Sequence, residues 1–188
     1  MSVADARLLE KVARGLNEPW AAKEGAAQGS ILTVAAGVYG ARPAAEETTI
    51  PTGFDPQAAA LFEAIVEAAY VVSAADDVLD DSEREALAQV VSEACGGAVD
   101  EHQLRGLLAD LRDHLREDGI DARVGAIALA VTKPEHRREV LRMAGLLAHV
   151  SGGVSGVEKA VLEKLATAFH LELREVDAAL DAVKSALA

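Results

Sequence analysis

One helix–turn–helix pattern occurs twice in this chain, and that duplication restricts the fold more than any other feature. The first copy reads Ala74-Ala75-Asp76-Asp77-Val78-Leu79-Asp80-Asp81-Ser82-Glu83. The second, seventy-five positions on, reads His149-Val150-Ser151-Gly152-Gly153-Val154-Ser155-Gly156-Val157-Glu158. An apolar helical run enters and leaves each turn, Glu83 matching Glu158 and Leu87 matching Leu162. The reading is an all-α protein: a single helical bundle of about seven core helices in two similar halves, with an N-terminal helical extension. The turns differ in charge, since the second lacks most of the carboxylates of the first. The acidic turn is therefore the candidate site.

Composition supports the helical reading. The chain has 188 residues, 51% of them hydrophobic but only 3% aromatic, so its core is built from Ala, Leu and Val. Alanine is the best helix former, and its small side chain lets helices approach closely. This length suits one sizeable core. Acidic residues number 31 against 18 basic ones, for a net charge of -13. Such a balance repels phosphate backbones and anionic membranes, which argues against a nucleic-acid partner. It suits a divalent cation or a basic protein. Cys95 is the only cysteine, so neither an intramolecular disulfide nor a thiolate cluster can form, and it reads as a small core residue. No signal-like segment or apolar run of about 20 residues is expected to reach a bilayer, and a cytoplasmic location follows as the expectation.

Periodicity places the elements. Leu8, Leu9, Val12 and Leu16 form one helical stripe, and the glycine-containing run around Ile31 to Tyr39 is read as a second helix. Residues 40–54 lack either period and read as a loop, so 1–54 form the extension and 55–188 the main domain. Asp55 caps a helix that starts at Pro56. Gly96-Gly97 closes the helix after the acidic turn, Gly119 separates two further helices, and Pro134 opens the next. The last two begin after Gly152-Gly153 and after His170-Leu171-Glu172.

Asp76, Asp77, Asp80 and Glu83 are the candidate metal ligands. Carboxylates crowded into one connection repel, and a hard cation such as calcium or magnesium relieves that repulsion. Ordinary helix-start acids account for the same residues, as does a docking site for a basic partner. The loop is not an EF-hand, because Val78 stands at its third position and the required glycine and distant glutamate are missing. Glu63 and Glu67, four apart on the preceding helix, read as an exposed acidic face, with Glu67 the one that could extend a cation site. The five histidines are dispersed and fit no zinc pattern. His149 is the exception worth following, since it stands just before the second turn. A metal-dependent enzyme using these carboxylates with a histidine is one alternative, and a purely structural scaffold another.

At the two turns, from Val71 to Glu83 and from Val150 to Glu158, the chain resembles the tellurite-resistance TerB-like family and related co-chaperone N-terminal domains. In the first turn Asp76 matches the aspartate of the family's aspartate–glycine pair, and Asp77 replaces the glycine. In the second, glycine is kept and Ser151 replaces the aspartate. The resemblance covers about residues 55–187. It implies a cytoplasmic accessory protein of stress or tellurite-resistance systems, binding a protein partner, associated with membrane complexes through such partners, and without a defined enzymatic reaction.

Overall fold

In the computed structural model, residues 3–17, 30–41, 54–76, 79–151 and 153–188 are described. They form eight α-helices and no strand. These are α1 (Val3–Asn17), α2 (Ile31–Gly40), α3 (Pro56–Ser73), α4 (Asp81–Ala94), α5 (Glu101–Ala130), α6 (Pro134–Ala148), α7 (Gly156–Ala168) and α8 (Arg174–Leu187). A short 3-10 turn, His149–Ser151, follows α6.

The apolar stripes close on each other as their periodicity predicts. α3 and α6 lie side by side at the centre, and each is buried over most of its length. α5 packs on α3 and α8 packs on α6, the same partnership in each half. α4 and α7, the helices that leave the two turns, complete the halves.

Local chemistry sets the boundaries. The Asp55 carboxylate accepts the Gln57 amide at 2.9 Å, and Pro56 opens α3. α4 ends in paired bonds from the Gly96 amide to the Glu93 carbonyl and from the Gly97 amide to the Ser92 carbonyl, with both glycines at positive φ. α7 ends the same way, but His170 holds the left-handed position at φ 58°. Its amide reaches the Thr167 carbonyl, and the Leu171 amide reaches Ala166. Gly119, at φ 78° and ψ 167°, breaks α5 into two helical segments, as the sequence anticipates.

The segment read as an extension contributes to the same core. Leu9, Val12 and Leu16 of α1 and Leu32 and Ala36 of α2 are buried in it. α1 rests on α4, α6 and α8, while α2 rests on α3, where the rings of Tyr39 and Phe62 stand 4.7 Å apart. Lys11 of α1 donates to the carbonyl of Leu187 at 2.7 Å and of Ala188 at 3.1 Å, satisfying the end of α8. Arg142, on α6, donates to the Gly15 carbonyl at 2.8 Å and pairs with Glu139 at 2.5 Å inside the core.

Glu67 departs from expectation. It is not part of an exposed acidic face: it is 8% exposed, and Arg123 donates to it at 2.6 Å while also holding Asp118 at 2.9 Å. A carboxylate buried between helices requires such a partner. The i, i+4 spacing of Glu63 and Glu67 carried no sign of an arginine fifty-six residues away.

Candidate functional site: the junction of two turns

Each interhelical turn delivers its chain into the next helix through the same device. In the first, Asp80 Oδ1 accepts the Glu83 amide at 2.8 Å, and Glu83 Oε2 accepts the Asp80 amide at 2.9 Å. In the second, the Ser155 hydroxyl accepts the Glu158 amide at 3.2 Å, and Glu158 accepts the Ser155 amide at 2.6 Å. These are reciprocal capping boxes, which satisfy amides that an opening helix leaves without partners. The matched glutamates of the two copies thus hold equivalent structural positions.

The candidate ligands fare differently. Asp80 and Glu83 each commit one carboxylate oxygen to this cap. Asp76 is exposed, and Asp77 lies outside the described residues. Among the described residues, no group of three or more His, Cys, Asp or Glu side chains is arranged to hold a metal ion. Asp81, also exposed, pairs with Arg84, which donates in addition to the Leu79 carbonyl.

The two corners adjoin. Ser73 from the end of α3, Leu79, Glu83 and Leu87 from the first turn and α4, and Leu147 and Val150 from the second line one notch. That notch has room for a single water-sized group. Glu158 lies beside the same junction, 3% exposed. Burial pushes its carboxyl above the ordinary carboxylate range. The hydrogen bonds from Ser155 oppose that rise, nearby Asp76 adds to it, and nearby His149 works against it. His149 is half-buried, and its Nδ1–H donates to the Gly145 carbonyl at 2.8 Å. A histidine therefore does stand by a carboxylate here, but that carboxylate is sealed from solvent. Sequence reasoning treated Glu158 only as an early-turn acid. Its burial depends on contacts between the halves, which local spacing does not carry.

Elsewhere, Cys95 is buried, and desolvation drives its thiol up to about 12, so it behaves as a core side chain and not a nucleophile. Asp110, Asp113 and His114 lie exposed on α5, where Asp113 pairs with Arg112 at 3.0 Å. No described helix is long and apolar enough to cross a membrane. No protein-family model, curated protein or solved structure matches the chain.

Proposed function

We propose that this protein is a non-enzymatic interaction protein that docks a basic partner on the acidic corner at residues 76–83. The observation that carries the reading is the meeting of two equivalent capped turns at one corner, with Asp76, Asp80 and Asp81 exposed on its rim. Concentrated negative charge on a rigid helix entrance steers a basic surface and fixes its register. The resemblance at the turns extends the proposal to a cytoplasmic accessory role in stress or tellurite resistance, TerB-like in kind.

The test compares affinity capture from cell extract by the wild type and by the double variant Asp76→Asn, Asp80→Asn. Asparagine caps helices as well as aspartate does, so the fold survives the change. A partner held by the wild type at low salt and lost by the variant supports the reading, and equal capture by both overturns it.

A divalent cation is the second component of the proposal. Calcium or magnesium would use Asp76, Asp77 and the carboxylate oxygens of Asp80 and Glu83 that the cap leaves free. Calorimetric titration tests this directly. Heat together with amide shifts confined to 76–83 supports it, whereas silence through millimolar ion removes the cation and leaves partner docking intact.

A further inference from the structure

α5 is the longest helix described, and it is broken. At Gly119 the backbone takes φ 78° and ψ 167°, a combination open to glycine and strained for other residues. The break falls where the helix has let go of the core. From 112 to 123 every residue is exposed or half-buried. Before that stretch α5 buries Leu104, Leu107, Leu108 and Leu111, and after it only Val124 and Ile127. A second joint follows. Val131, at φ -89° and ψ 83°, has left the helix, and Pro134 opens α6. Arg137 of α6 donates to the Val131 carbonyl at 3.1 Å, which ties this joint to the bundle.

Between the joints, one side chain holds the segment down. Arg123 Nε donates to Glu67 Oε1 of α3 at 2.6 Å, and its Nη1 donates back across the break to Asp118 Oδ2 at 2.9 Å. A single guanidinium thus fastens residues 120–130 to α3 and fixes the angle at Gly119. Lys164 of α7 also pairs with Asp121, but both are exposed, and such a pair adds little. Glu67 is buried under this arrangement, and a buried carboxylate without its cation is costly. Lifting the segment returns Glu67 to water. Elements with few buried apolar contacts open separately from the rest of a fold.

We infer that residues 120–130 form a flap, jointed at Gly119 and Val131 and latched by Arg123, which opens while the rest of the bundle stays folded. Opening uncovers Glu67 and the flanks of α3 and α7 on which α5 packs.

Native-state hydrogen exchange on the full-length protein, followed residue by residue in rising sub-denaturing urea, tests this. The amides of 124–131 are expected to exchange through an opening that urea barely affects, because it exposes little surface. The amides of 64–72 in α3 and 140–147 in α6 should respond steeply, as global unfolding does. Val183 is fully buried where α8 meets Gly145 of α6, a contact that the open flap retains. Val183→Ala should therefore speed exchange in α3 and α6 severalfold and leave 124–131 unchanged. Arg123→Met should speed exchange at 124–131 about tenfold or more. If 124–131 share the urea dependence of α3 and accelerate with it in Val183→Ala, the segment unfolds only with the whole bundle and there is no flap. If Arg123→Met leaves their exchange unchanged, Arg123 is no latch and the inference falls.

Discussion

Glu158 shows how one residue can serve two opposed demands. It caps α7, which favours its charge, yet it is buried beside Asp76, which disfavours it. Its folded carboxyl therefore titrates above the ordinary range. A raised acid contributes stability that is complete below its unfolded titration range and is lost as pH rises through the folded one. Glu158→Gln keeps an acceptor for the Ser155 amide and removes the charge. In thermal melts the variant should gain on the wild type as pH rises from the acid side toward neutrality, and a pH-independent difference would refute the assignment. Arg142 makes the opposite case, because its pairing with Glu139 is already satisfied. Arg142→Met leaves a buried carboxylate unpaired and should cost about 3–5 kcal/mol in chemical denaturation. Adding Glu139→Leu should recover much of that loss. Neither the burial of Glu158 nor the Glu139–Arg142 pair was legible in the sequence. Glu139 and Arg142 stand three apart on one helix, and nothing local says that α1 will meet them there, where Arg142 donates to the Gly15 carbonyl.

Helix boundaries were the most legible part of the chain, because they are settled by chemistry within a few residues. Asp55-Pro56, Gly96-Gly97 and Gly119 all act where their types predict. The acids of the first turn were legible as helix-start acids, and Asp80 and Glu83 do cap α4. The reciprocity of their bonds to backbone amides adds a rotamer choice that spacing permits without requiring. Two substitutions test the boundary chemistry with opposite signs. At Gly119 the backbone sits at φ 78°, where a side chain is strained. Gly119→Ala should lower unfolding free energy by about 1–2 kcal/mol. At His170 the strain is already present, at φ 58° in the terminating position of α7. His170→Gly should raise stability by up to about 1 kcal/mol, as read from the denaturation midpoint. A loss there would show that the imidazole makes a compensating contact.

On the scale of the whole molecule, the duplicated pattern anticipated the pairing of halves, with α3 against α6 and the flanking helices repeated. It did not anticipate that the first helix would close over both halves while the second packs on α3. α1 touches α4 in one half and α6 and α8 in the other, and its Leu9, Val12 and Leu16 are buried there. A stripe of four apolar residues shows that a helix has a face to hide, but not which surface will hide it. Removing residues 1–17 should therefore abolish a single cooperative melt and not merely trim the end. Loss of the sharp transition, with dye binding to exposed apolar surface, is the expected result.

The central contact of α3 with α6 has a consequence for each half taken alone. A polypeptide carrying just one of the two units would leave that long apolar flank facing water. It would need some other apolar surface to cover that flank. Each half is thus the other's cover, and the crevice between the two corners marks where their turns come face to face.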